Sequence, residues 1–232
     1  FPSAPSYAGV YDQFGLLRSG TILAHAVHLS DDEVQLIKAR DAGISHCATS
    51  NFNLRSGVAP VGKFLDAGVK VGLGTDVSGG FSTSILTEIQ HASMASKVLQ
   101  FTSGTKAAAQ VEGESVTFTN KQLPIATLLY LATLGGASLC RLDKHIGSFA
   151  PGKSFDALLV SPRGRQIGMW GSGEKIHPGE TDEVEKKDLH EWLERFMFCG
   201  DDRNIDRVYV QGRWVGGFSY TSSAAAKGTA EP

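Results

Sequence analysis

The stretch VKVGLGTD, Val69 to Asp76, is a largely apolar run that ends on Thr75 and Asp76, and the glycine turn Ser78-Gly79-Gly80 follows closely. Two earlier stretches are built the same way. TILAHAV, Thr21 to Val27, carries His25 near its end, and the run Ile44 to Cys47 carries His46. Each has strand character and each leads into a helical pattern. After the first, Ser30-Asp31-Asp32-Glu33 reads as a capping box, in which a serine and a glutamate three residues on satisfy each other's backbone N–H groups. Val34 and Ile37 continue that helix, which stops near Gly43. After the second comes a polar loop, ATSNFNLRSG, then a helix through about Leu65 that Gly68 ends. After the third, a helical stretch runs from about Ser84 to Val98.

Strand, loop and helix repeated in this order predict consecutive βα units and a parallel sheet. Apolar runs in place of alternation predict strands covered on both faces. Periodicity alone fits a (β/α)₈ barrel and an open doubly wound sheet equally, and three units fall well short of the roughly 250 residues of a whole barrel. The opening FPSAPSYAGVYD is loop-like. About Phe101 to Gln122 is polar and reads as an insertion or long loop, and Pro124 then opens a helix, IATLLYLAT, that ends at Gly135-Gly136. From Gly147 the character changes. SFAPGKSFDALLV is a turn and a strand, and IDRVYVQGRWV is two strands around Gln211-Gly212, so this is a small β-rich piece. The tail SSAAAKGTAEP, residues 222–232, has the composition of a disordered segment.

The bulk numbers narrow the function classes. With 232 residues, 41% hydrophobic, and a net charge of −2, the chain is long enough for a large domain and has no basic footprint for nucleic acid or an anionic membrane. No apolar run approaches the length of a spanning helix. Three cysteines with no CxxC argue against a disulfide framework and a cysteine-based zinc site, and favour a reducing cytoplasmic setting.

Chemistry concentrates where strands give way to loops, because strand-to-helix loops gather at the C-terminal edge of a parallel sheet. His25, His46 and Asp76 all stand at such ends, so His25 and Asp76 are expected to converge. A histidine and an aspartate there suit a metal site or acid–base work, and with His46 they make three potential ligands. Each residue also has an ordinary structural reading, as a helix-capping aspartate or a hydrogen-bonded core histidine. His28, three residues beyond His25, is expected on the other face of the strand. His91, His145, His177 and His190 have no partner spacing and receive no role. HExxH, HxH, CxxC, GxGxxG, GxSxG and P-loop patterns are absent.

Taken together, ILAHAVHLSDDE, ISHCATSNFNLRSG and VGLGTDVSGGFSTSIL resemble the last three barrel strands of the amidohydrolase superfamily. ATLGGASLCRLDKHIGSFAPGKSFDALLV resembles the passage from that barrel back to a small β domain. Within the superfamily, GLGTDVSGG before a serine-rich helix start is similar to the guanine deaminase family. The resemblance covers about Tyr11 to Val215. It implies an incomplete (β/α)₈ TIM-type barrel in residues 1–146, a return to the small β domain in 147–221, and the tail beyond.

The resemblance also implies a chemistry: zinc-dependent hydrolytic deamination of guanine to xanthine and ammonia, by a cytoplasmic homodimer. Asp76 matches the last-strand aspartate that binds zinc, contacts substrate and takes the proton of the attacking water. His25 matches a catalytic histidine that acts on that water. The family's HxH pair, fifth-strand histidine and acidic partner have no counterpart here and would lie upstream of Phe1. The chain is therefore expected to be a C-terminal part, inactive by itself. HCATSN departs slightly from the commoner HCPNSN. The alternatives are another nucleobase or triazine amidohydrolase, and a non-catalytic half-barrel kept for assembly.

Overall fold

The computed structural model describes residues 1, 3–104, 117–161 and 182–220. The chain divides into two units, Phe1–Ser148 and Phe149–Pro232. In the first, strands β1 (Ile22–Ala24), β2 (Gly43–His46) and β3 (Lys70–Leu73) pair in parallel in the order β1-β2-β3. Leu23 stands opposite Ile44, and Ile44 opposite Val71. Parallel neighbours need a crossover, and helices supply it. Helix α2 (Asp31–Ala39) runs between β1 and β2, α4 (Val61–Asp66) precedes β3, and α5 (Ile85–Thr102) follows it. Val34, Ile37, Ile44, Phe64, Val71 and Ile89 are buried and form the core of this unit. Burying one such side chain stabilises the fold by about 1.5–3 kcal/mol.

The capping box at α2 is formed. The Glu33 N–H donates to Ser30 Oγ at 3.3 Å, and the Ser30 N–H donates to Glu33 Oε2 at 2.9 Å. The other carboxylate oxygen of Glu33 accepts the Ala8 N–H at 2.9 Å. That bond seats α1 (Tyr7–Gln13), a helix where a loop was expected, with Ser6 accepting the Gly9 N–H at its start. Burial alone would raise the Glu33 carboxyl. The N–H groups of Ala8 and Ser30, with the hydroxyls of Ser30 and Ser6, hold it below the usual glutamate range.

The first strand ends at Ala24, next to His25, and His25 and Ala26 then take left-handed backbone angles, φ 67° and 53°. Three other sequence expectations are corrected. The expectation that every strand is covered on both faces fails at β1, an edge strand that leaves Ile22 43% exposed. The loop after β2 contains helix α3 (Ala48–Asn53), whose buried residues Thr49, Ser50 and Asn51 are polar and so give no apolar periodicity. The helix after Pro124 is two helices, α6 (Ile125–Ala132) and α7 (Leu134–Leu139), and the glycine pair lies inside the second. Gly135 is needed for close approach, since a Cβ there would stand 2.9 Å from the Tyr130 carbonyl oxygen and 3.0 Å from that of Val71.

The second unit holds β4 (Ala157–Val160), β5 (Ile205–Val210) and β6 (Arg213–Gly216), antiparallel in the order β4-β5-β6. Gln211 and Gly212 both have left-handed φ, 51° and 76°, as a two-residue hairpin turn matched to strand twist requires. The unit also contains α8 (Asp182–Cys199), a helix the β-rich reading did not anticipate, with Met197 buried. The chain is thus a mixed α/β structure with one parallel and one antiparallel sheet among the described residues. Residues 222–232, residues 105–116 of the expected insertion and His177 lie outside the described residues. No helix among the described residues is long and apolar enough to cross a membrane.

Candidate active site

The last rung of the ladder between β1 and β2 is the bond from the His25 N–H to the Ser45 carbonyl, at 3.0 Å. The chain then turns through the left-handed pair His25-Ala26. A left-handed non-glycine residue costs about 1–2 kcal/mol, and this pair stands directly after the end of β1. On the far side of β2, the Gly74 N–H closes the ladder on the His46 carbonyl at 3.0 Å, and Asp76 is itself left-handed, φ 45°. Because the strands are parallel, both residues leave at the same end of the sheet. His25 Nε2 stands 3.7 Å from Asp76 Oδ2, with the side chains 38% and 39% exposed.

Helix α3 sits between them and holds both. The Ser50 hydroxyl donates to Asp76 Oδ2 at 2.6 Å, and Asn51 Oδ1 lies 3.0 Å from His25 Nδ1. The glycine turn after Asp76 is required sterically. A Cβ at Gly79 would stand 2.5 Å from Asp76 Oδ2 and 2.7 Å from Ser50 Oγ. The Gly79 carbonyl accepts from Asn53 Nδ2 at 2.7 Å, which ties the turn to α3 as well. On the other side of α3, Glu88 of α5 is fully buried and bonds to the N–H and hydroxyl of Thr49, and Thr49 Oγ1 lies 2.6 Å from His91 Nδ1.

His46 does not join this group as a third ligand. It is 1% exposed and lines a cavity of about 160 Å³ with Val61, Ala92, Ser96 and Leu99. Burial, and then the neighbouring His25, push its pKa down to about 4, so the ring is neutral at pH 7. His28 is exposed in a turn, not on a strand face. His145 and His190 are exposed, and His91 is engaged with Thr49.

Among the described residues, no three of His, Cys, Asp and Glu are grouped to hold a metal. A carboxylate and an imidazole that converge are donors of the right kind for zinc, yet a zinc site takes three or four protein ligands. The pair His25 and Asp76 fits as part of such a site. Ser50 and Asn51 were not singled out from the sequence, and the glycine turn at Gly79 was read there without its contact to Asp76 and Ser50. The available signal was the run of small polar residues directly after a strand end that carries a histidine.

The sequence matches the amidohydrolase family over residues 3–215, and the chain belongs to that family. Its relatives there include guanine deaminases. That of Mus musculus is 40% identical over 220 residues, which are 94% of this chain and 43% of the mouse protein. The crystal structure of guanine deaminase from C. acetobutylicum, with guanine bound in the active site, matches with a TM-score of 0.70 at 34% identity, covering 93% of this chain and 44% of that one. An adenosine deaminase from Xanthomonas campestris with bound zinc shares the fold, with a TM-score of 0.67 at 22% identity over 94% of this chain and 43% of that one. The chain spans about two-fifths of the length of the curated relatives it matches.

Proposed function

We propose that this chain is the C-terminal part of a zinc-dependent guanine deaminase. In it, residues 1–146 supply the last three βα units of a (β/α)₈ barrel and residues 147–221 part of a small β domain. The observation that carries the proposal is the meeting of His25 Nε2 and Asp76 Oδ2, 3.7 Å apart at the C-terminal end of parallel strands, in a chain related to guanine deaminases.

Asp76 would hold the zinc, and His25 would face the same space. Zinc, when bound, makes water a competent nucleophile near neutral pH. The chain's own residues then have separate tasks. The Asp76 carboxylate, steadied by Ser50, accepts the proton of the attacking water and contacts the substrate. His25 Nε2 orients that water. Water adds across the C=N bond at the amino-bearing carbon of guanine, one of its protons going to the ring nitrogen; the other passes by way of Asp76 to the amino group, whose C–N bond then breaks, so that ammonia leaves with xanthine as product. A cytoplasmic homodimer acting on free guanine, with no nucleic acid and no membrane, completes the reading.

The test is ammonia and xanthine release from guanine by the protein that joins this chain to its upstream ligands, with Asp76→Asn as control. Turnover of a different nucleobase or a chlorinated triazine in place of guanine would move the substrate assignment. No turnover of any of them would favour the non-catalytic half-barrel. Among the described residues no third donor joins His25 and Asp76, so the 232-residue chain by itself is expected to leave guanine unchanged.

A further inference from the structure

A neutral imidazole carries one N–H and one lone pair, and which nitrogen has which is set by the partner of the other. At His25 both ends of the ring can be read. Asn51 Oδ1, an acceptor, is 3.0 Å from Nδ1. Nε2 is 3.7 Å from Asp76 Oδ2, beyond hydrogen-bond distance, and that oxygen already receives the Ser50 hydroxyl at 2.6 Å. Asn51 is 2% exposed, so bulk water does not compete for its amide. Its backbone N–H is bound to the carbonyl of Cys47, the N-cap of α3, at 3.0 Å, which holds it in the first turn of that helix.

We infer that Ser50 and Asn51 are positioning residues that together fix His25 as its Nδ1–H tautomer and keep the Nε2 lone pair turned towards the space beside Asp76. Asn51 draws the proton to Nδ1. Ser50 holds the Asp76 carboxylate oxygen 3.7 Å from Nε2, out of hydrogen-bond reach, so that it does not draw the proton there instead. Adjacent residues of one helix thus prepare both strand-end groups. What the lone pair is used for rests on the proposed function; the tautomer itself does not.

The test is the imidazole region of a long-range ¹H–¹⁵N correlation spectrum of the complete ¹⁵N-labelled protein that carries this chain, recorded at mildly alkaline pH. His25 is assigned by loss of its signals in His25→Gln. The expected wild-type pattern is a protonated Nδ1 and an unprotonated Nε2. Asn51→Leu should lose it in favour of the Nε2–H form that free histidine prefers, while Asn51→Asp, which keeps an acceptor in place, should retain it. Ser50→Ala should give a mixture and Ser50→Thr should restore the single form. A wild-type ring protonated on Nε2 overturns the inference. So does an unchanged tautomer in Asn51→Leu when the backbone amide spectrum remains native. If Asn51→Leu does not fold, the wild-type pattern and the Asn51→Asp arm still decide. Guanine turnover plays no part in this readout, so its failure and the failure of the deaminase reading are separate results.

Discussion

The backbone N–H of Thr49 lies 3.2 Å from Glu88 Oε2, and the Thr49 hydroxyl bonds to the other oxygen of the same carboxylate. One fully buried acid on α5 therefore holds the residue next to Ser50. A hydroxyl has a single proton, so Thr49, donating to Glu88, is left to accept from His91 Nδ1. Removing the acid strands a buried N–H. Glu88→Ala is expected to cost about 1–3 kcal/mol in urea unfolding, and Glu88→Gln less. A loss within about 0.5 kcal/mol, the range of a neutral surface change, would mean that Glu88 does not hold α3.

At the capping box, Ser30→Ala should cost about 1 kcal/mol. Glu33→Ala should cost more, because it frees the Ala8 N–H as well as that of Ser30. The Glu33 carboxyl is held below its ordinary value, so its contribution is complete above the unfolded pKa and is lost as pH falls through the folded one. The stability gap between wild type and Glu33→Gln should accordingly be widest near neutrality and close in acid. A gap that grows on acidification would contradict this sign.

His46 gives a second pH dependence in a different window. Its pKa falls from 6.5 to about 4 on folding, by burial first and the nearby His25 second. Between those values the unfolded chain binds a proton that the folded chain refuses. Stability is therefore full above the unfolded pKa and drops as pH falls towards the folded one, by at most about 3 kcal/mol. Unfolding free energies at pH 7 and pH 5 should differ less in His46→Leu than in wild type. Equal differences in the two proteins would show that His46 is protonated in the folded state.

Under the proposed function, Asp76→Asn in the complete protein should lower zinc content more than His25→Asn, and both should nearly abolish turnover. On that reading a direct ligand is lost in the first case. Partners that act through the bound water change metal affinity by about 10–100-fold. Gly79→Ala should resemble a weakened Asp76 variant, since the added methyl meets the carboxylate and the Ser50 hydroxyl. Elemental analysis beside steady-state rates decides the matter. If His25→Asn empties the site as fully as Asp76→Asn, His25 is a ligand.

The three βα units and the terminal hairpin were legible in the sequence because each has its own local signal: an apolar run, a capping box, a glycine stop, the Gln211-Gly212 turn. The positions of His25 and Asp76 were legible for the same reason, as polar residues that end such runs. Two kinds of feature were not. Helix α3 turns polar side chains inwards, so the residues that bond to His25 and Asp76 looked like loop. The left-handed angles at His25 and Asp76 carry no composition mark, since glycine, the usual sign of such backbone, is absent at both. The role of Gly79 depends on how closely the carboxylate and the Ser50 hydroxyl approach it, which spacing along the chain does not fix.

The backbone at His25-Ala26 sets selection for durability against selection for use. Neither residue is comfortable at its angle, and glycine at position 26 would be. A library screened only for heat resistance would drift towards such replacements, loosening the turn that carries the imidazole. Mutational tolerance along this chain should therefore be uneven in a diagnostic way. Variants enriched by thermal challenge and variants enriched by catalysis would part company at this dipeptide, while agreeing across Ile44, Phe64 and Val71, where both demands ask only for a filled core.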